Sequence, residues 1–175
     1  MAKSRGDQIV QDEKMVLSEL MKNSKENIDS IAKRCGVSRQ KVYKIIKNME
    51  KNHRIWGYTA VFDENTVGKQ HYMLMLKRTS QPLKEGATNK IISRRAEDIL
   101  KGLGGTIESS ALMHGEYDWV VTFIADDIKQ AKKYSDTLVA LHPGEIQKIT
   151  LMQTLLFIKK QYILNPGREQ LKDII

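Results

Sequence analysis

Apolar residues recur at helical spacing three times before residue 52, and the period then changes. The first run, Met15, Val16, Leu17, Leu20 and Met21, predicts a helix to about Asn23 with Asp12 as its N-cap; residues 1–10 read as a loose lead-in. A polar connection, Ser24–Glu26, leads to Asn27, which caps a second helix with Ile28, Ile31, Ala32 and Cys35 on one stripe. Gly36 then stands where that helix would have to continue, and glycine lets the chain turn sharply. Ser38 caps a third helix, with Val42, Ile45, Ile46 and Met49 at i, i+3, i+4 and i+7 forming its buried face. Small Ala32, Gly36 four residues on, then Val37, Val42 and Ile45 give the close approach, turn and wedge of a helix-turn-helix.

Beyond Asn52 the β-branched and aromatic run from Ile55 to Phe62 predicts a strand, as a wing or as a connecting strand. Trp56 and Tyr58 in it are expected to pack at a domain junction, with stacking on DNA the other use open to them. Strands are predicted over Tyr72–Leu76, Thr106–Met113, Trp119–Ala125 and Ile146–Lys159. Helices are predicted over residues 84–103, with Ala87, Ile91, Ala96, Ile99, Leu100 and Leu103 inward, and after Asp126 or Asp127, with Ala131, Tyr134, Leu138 and Leu141 inward. The order β-α-β-β-α-β predicts a ferredoxin-like unit. The fold class is therefore α+β: an N-terminal helix-turn-helix (winged-helix-like) domain joined to a ferredoxin-like βαββαβ domain with an antiparallel sheet. The expected division is 1–54 for DNA binding, 55–69 as connecting strand or linker, 70–160 for dimerisation and effector sensing, and 161–175 as a C-terminal tail.

Charge sharpens this reading. A chain of 175 residues with a formal net charge of +8 favours an acidic partner, nucleic acid before membrane. Cutting at residue 66 gives +4 on each side, so bulk charge does not locate the interface. Local clustering does: Lys33 to Arg54 holds eight Lys/Arg and one acidic residue, Glu50. On the polar face of the third helix, Arg39 and Gln40 sit in the first turn, where Arg can bond guanine O6/N7 and Gln an adenine edge. Ser38, Tyr43 and Lys44 complete that face, and Lys41 and Lys47 are expected on phosphates. The expected partner is double-stranded DNA.

Other chemistry finds little support. The four histidines show no metal-ligand spacing, no cofactor is expected, and no P-loop, dinucleotide fingerprint or nucleophile elbow is present. The single cysteine, Cys35, excludes an internal disulfide and reads as a core residue. No run approaches a membrane span and the first residues lack an apolar signal core, so the chain is expected to be cytoplasmic.

The N-terminal segments resemble the Lrp/AsnC family of transcriptional regulators: Asp12-Glu13-Lys14 opening the first helix, Ile31–Ser38 at the turn, and Ile55-Trp56-Gly57-Tyr58-Thr59-Ala60 after the recognition helix. That resemblance implies a ferredoxin-like C-terminal domain that pairs through its sheets, giving a homodimer and in some members a tetramer or octamer. It also implies an amino-acid or other small-molecule effector near a glycine-to-aspartate turn, here Gly115, Glu116, Tyr117 and Asp118. The same four residues resemble GYD/RAM-type ferredoxin-like dimeric domains. From the residues alone that turn is a structural hairpin, or a site where Asp118 holds an amine and backbone N–H groups hold a carboxylate. The implied function is a sequence-specific regulator, not an enzyme, on pseudo-palindromic sites. A low-specificity architectural DNA-binding protein, or an enzyme on a dimeric α/β barrel with His71, His114 and Asp118 in its pocket, are the alternatives.

Overall fold

The structure, a computed structural model, describes residues 5–82, 85–86, 89 and 95–175. It divides into two compact units, one formed by residues 1–61 with 158–175 and the other by residues 62–157.

Three helices build the first unit: α1 (Arg5–Lys22), α2 (Ile28–Cys35) and α3 (Arg39–Lys51). Their apolar stripes meet in one core of Val16, Leu20, Ile31, Ala32, Cys35, Val42, Ile45 and Met49, with Ile46 at its margin. Burial among these neighbours raises the Cys35 thiol pKa. Helix α1 begins seven residues before Asp12, so two expectations are corrected: the lead-in is helical from Arg5, and Asp12 is a mid-helix residue rather than a cap. Asp12 is 1% exposed, because it faces α3 instead of ending its own helix.

The expected strand over Ile55–Phe62 is also corrected. The segment carries no strand, since among the described residues no ladder partner takes up its backbone hydrogen bonds. Trp56, expected to pack at a junction, is instead 95% exposed.

The second unit holds β1 (Gln70–Arg78), α4 (Arg95–Gly102), β2 (Thr106–Leu112), β3 (Trp119–Ala125), α5 (Ile128–Leu141) and β4 (Ile146–Gln153). The sheet order β2-β3-β1-β4 with antiparallel neighbours is the ferredoxin-like arrangement that the β-α-β-β-α-β pattern predicts. Asp127 caps α5 through Gln130 N. Alternate strand residues, Tyr72, Leu74 and Leu76 with Val121, Phe123 and Ala125, pack against Leu100, Ala131, Tyr134 and Leu138 of the two helices. Of the helix expected over 84–103, the part at Arg95–Gly102 is observed; Ala87 and Ile91 lie outside the described residues. Gly105 is a close-approach position, since a Cβ there would meet Leu100 Cδ1 at 2.6 Å and the Ile124 carbonyl at 2.8 Å.

The opposite sheet face carries His71, Met73 and Met75 of β1, Thr122 of β3, and Thr150 and Met152 of β4. On it His71, 6% exposed, places Nδ1 2.6 Å from Thr154 Oγ1 and Nε2 3.0 Å from Glu108, so both ring nitrogens have partners.

The final strand was expected to run to Lys159 but ends at Gln153, and Leu155 beyond it is 75% exposed. The chain then forms a short hairpin, β5 (Lys159–Lys160) and β6 (Ile163–Leu164), turning through Gln161 at φ 42°. A 3₁₀ helix follows at Arg168–Asp173. Because these residues fold with the first unit, charge distributes differently from the cut at residue 66. The first unit holds 17 Lys/Arg against 9 Asp/Glu, and the second holds 12 of each. The whole excess of +8 belongs to the unit with the helix-turn-helix. Among the described residues no helix is long and apolar enough to cross a membrane.

Candidate nucleic-acid interface

The turn between α2 and α3 forms as the residue types require. Gly36 adopts φ 65°, ψ 30°, and the N–H groups of Gly36 and Val37 bond back to the Lys33 and Ala32 carbonyls. Two residues later Ser38 Oγ accepts from Lys41 N at 3.2 Å, and Asn27 Oδ1 accepts from Asp29 N at 2.9 Å at the start of α2. Both caps and the turn fix the angle at which α3 leaves the core. Val42, Ile45 and Met49 point inward, and Ser38, Arg39, Gln40, Lys41, Tyr43, Lys44 and Lys47 are all exposed.

Ion pairs subdivide that exposed face. The Lys41 ammonium lies against Oδ2 of buried Asp12 at ion-pair distance, outside good hydrogen-bond geometry, and Gln8 Nε2 donates to Oδ1 at 2.9 Å. Lys41 chiefly, then Gln8, hold the Asp12 carboxyl below its ordinary pKa, against desolvation, which acts the other way. Lys41 therefore ties the first turn of α3 to α1. Arg39 Nη1 sits 3.4 Å from Asp29 Oδ2, both side chains well exposed, a contact that DNA can exchange without burying a charge. Lys47 donates to Glu50 at 3.1 Å, which raises its own pKa, and lies 5.9 Å from the Tyr43 ring centroid. Among the described residues Lys44 and Lys51 have no carboxylate at ion-pair distance.

Two roles escaped the sequence reading. The first is Asp12, whose place beside Lys41 has no short-range signal because 29 positions separate them. The second is Glu50, which accepts from Tyr58 Oη at 3.1 Å and from Lys47; the one acidic residue in a basic run was the available hint.

In the second unit the Gly115–Asp118 turn joins β2 to β3. Asp118 Oδ2 accepts from Arg78 N at 2.7 Å, Asp118 N donates to the Leu76 carbonyl, and Met113 N donates to the Asp118 carbonyl. Asp118 is thus tied to the end of β1. Tyr117 Oη lies 3.3 Å from Thr150 Oγ1, Lys148 Nζ stands 5.5 Å from the Tyr117 ring, and Glu116 is 3.8 Å from Lys148. The Thr150 contact first, then Lys148, lower the Tyr117 pKa. His114 does not join His71 in any metal-ligand group: among the described residues no three His, Cys, Asp or Glu side chains converge as ligands.

The comparisons with known proteins fit this two-part architecture. Residues 9–55 match the model of the family described as sugar-specific transcriptional regulator TrmB. A comparison with curated protein sequences finds no match. Among solved structures, an AsnC family transcriptional regulator from Agrobacterium tumefaciens is 19% identical, covers 88% of this chain and 95% of its own, and superposes at TM-score 0.63. A transcriptional regulator from Neisseria meningitidis in complex with L-methionine is 17% identical, covers 96% and 99%, and reaches 0.63. A feast or famine regulatory protein from M. tuberculosis, complexed with L-methionine, is 13% identical, covers 85% and 93%, and reaches 0.65. At these identities the likeness is one of fold. The chain has the fold of Lrp/AsnC-type regulators, with a helix-turn-helix segment similar to that of TrmB.

Proposed function

We propose that the chain is a sequence-specific DNA-binding transcriptional regulator that places α3 in the major groove. The observation that carries the reading is the exposed face of α3 on a unit that holds the chain's entire excess of positive charge. Arg39 and Gln40 in its first turn read base edges; Tyr43 and Lys44 extend that contact, and Lys47 meets phosphate. Lys41, engaged with Asp12, orients the helix and offers its ammonium to phosphate only at the edge of that pair. The unit of residues 1–61 with 158–175 is the DNA-binding part, its helix-turn-helix within residues 1–54, and the unit of residues 62–157 is the assembly part.

Copies pair through the second sheet face, with Met73, Met75 and Met152, as a dimer that can assemble further. Two copies then present two α3 helices to successive major grooves ~34 Å apart on a pseudo-palindromic site. An amino acid bound near Gly115–Asp118 shifts DNA affinity by its preference for one assembly state and no more. L-methionine, the ligand of two structural neighbours, is the first to test. With Asp118 occupied by the Arg78 N–H, Glu116, Tyr117 and Lys148 are the side chains left to meet it.

Selection of duplexes from a random pool, with and without amino acids, tests the reading. A two-fold-related consensus is expected. Recovery of unenriched DNA, with an even footprint at two salt concentrations, would favour a low-specificity architectural protein instead.

A further inference from the structure

Trp56 is, at 95%, the most exposed of the described large apolar side chains. An indole so placed forgoes the large burial that normally fixes tryptophan in a fold. Its neighbours in sequence are basic: Lys51 and Arg54 precede it, Arg54 paired with Glu13 of α1, and no acidic residue occurs between Lys51 and Phe62. The segment that carries it is held by a chain of contacts along α3. Tyr43, Lys47 and Glu50 lie on one stripe of the helix; Lys47 stands by the Tyr43 ring and bonds Glu50, and Glu50 accepts from Tyr58. Tyr58 thus holds the segment after the helix to the same stripe that carries Tyr43 and Lys47. Trp56 lies between the end of α3 at Lys51 and the held Tyr58, so its backbone runs beside the C-terminal end of that stripe.

We propose that Trp56 is a second, apolar DNA contact, its indole lying against the sugar edges of the minor groove that adjoins the major groove occupied by α3. The inference rests on the DNA-binding reading above. Thirteen helical residues span ~20 Å, whereas the major groove is ~12 Å wide. A helix entering by its first turn therefore carries its last turn over the groove wall. Lys51 there, with no carboxylate at ion-pair distance among the described residues, meets phosphate, and a neutral, broad ring on the segment that follows has the sugars and the edge of the base stack to cover, as apolar side chains do in minor-groove binding. Positive surroundings favour this occupant over a second copy of an equally basic unit, which would bring like charges together.

The full-length Trp119→Phe chain leaves a single tryptophan, Trp56, as reporter. It is titrated at low ionic strength with a fluorescein-labelled, mixed-sequence duplex several helical turns long. Label anisotropy reports binding, and indole emission reports the contact. The expected result is that Trp56 emission is quenched and moves to shorter wavelength along the same isotherm as the anisotropy. Trp56→Ala in the native background weakens binding roughly tenfold, as truncating an aromatic contact to nucleic acid does. The salt slope stays unchanged, and Trp56→Phe recovers part of the loss. An anisotropy rise with free-indole emission, and Trp56→Ala binding as wild type, would overturn the inference while leaving the DNA reading intact. A blue shift that follows protein concentration without DNA would overturn it in favour of an interface between copies. No anisotropy rise at all would overturn the DNA reading and this contact with it.

Discussion

Residues 1–61 with 158–175 carry 17 Lys/Arg and 9 Asp/Glu, while residues 62–157 carry 12 of each. The first unit is a small three-helix core tied by ion pairs: Lys41 to Asp12 and Arg34 to Glu19 between helices, and Arg54, just after α3, to Glu13 of α1. The second is a four-stranded sheet whose core of Tyr72, Leu74, Phe123, Tyr134 and Leu138 is built on apolar contact and aromatic packing, with Tyr72 Oη donating to Gln70 Oε1 at its margin. The difference teaches that charge and core are allotted separately. One unit holds the excess of basic groups and the ion pairs that align its helices; the other carries no net formal charge, and its second sheet face, proposed above to pair copies, bears Met73, Met75 and Met152.

The largest expected effects separate the two cores. Phe123→Ala should cost ~3–5 kcal/mol in the sheet unit, and Ile31→Ala ~2–5 kcal/mol in the helical unit, because each removes a fully buried side chain. Denaturant unfolding followed by hydrogen exchange should place each loss in its own unit; equal loss of protection in both units for either change would mean that they are one cooperative body.

Next in size is Arg39→Ala, expected to cost ~1–3 kcal/mol on a selected site and little on a scrambled one, whereas Lys47→Ala should weaken both alike. Matching losses on both duplexes for Arg39→Ala would assign it to phosphate instead of bases.

Acid gives a smaller, directional effect. The Asp12 carboxyl is held below its ordinary pKa by Lys41 and Gln8, so its folded value lies under its unfolded value. Its stabilisation is therefore complete above the ordinary range and is lost as pH falls from about 4 through the lower folded value. Stability of the helical unit should drop over that window by more than that of Asp12→Asn, measured by chemical denaturation at successive pH values. A parallel pH dependence in the two proteins would remove Asp12 from the alignment of α3.

Periodicity made most of this fold legible. Ile28, Ile31, Ala32 and Cys35, the Gly36 turn, and Val42, Ile45 and Met49 are local signals, and the α2–α3 geometry is set locally. The alternation in β1 and β3 is equally local. What periodicity could not supply was partnership at a distance. Ile55–Phe62 has strand composition, yet no strand forms without a ladder partner, and Asp12 looks like a cap until Lys41 is brought to it. The β4 pattern persisted past Gln153 because apolar Leu155 and Phe157 continue the alternation after the ladder to β1 has ended. The tail was opaque for the same reason: only the fold joins 158–175 to the N-terminal helices, and with them Lys159, Lys160, Arg168 and Lys172. At the candidate interface, the residue types of Arg39, Gln40, Tyr43 and Lys44 and their exposure could be read from spacing, but the pairing of Lys41 and the holding of Tyr58 by Glu50 could not.

The proposed division of labour between the two units is tested directly by one measurement. Duplex affinity is measured against salt for the full chain, for Lys44→Gln/Lys47→Gln/Lys51→Gln on α3, and for Lys129→Gln/Lys132→Gln/Lys133→Gln on α5, where all three lysines are equally exposed. The prediction is tight binding at low ionic strength, a salt slope reduced by two to three in roughly one step per lost phosphate contact for the α3 variant, and wild-type behaviour for the α5 variant. Loss of binding in the α5 variant with none in the α3 variant would contradict it.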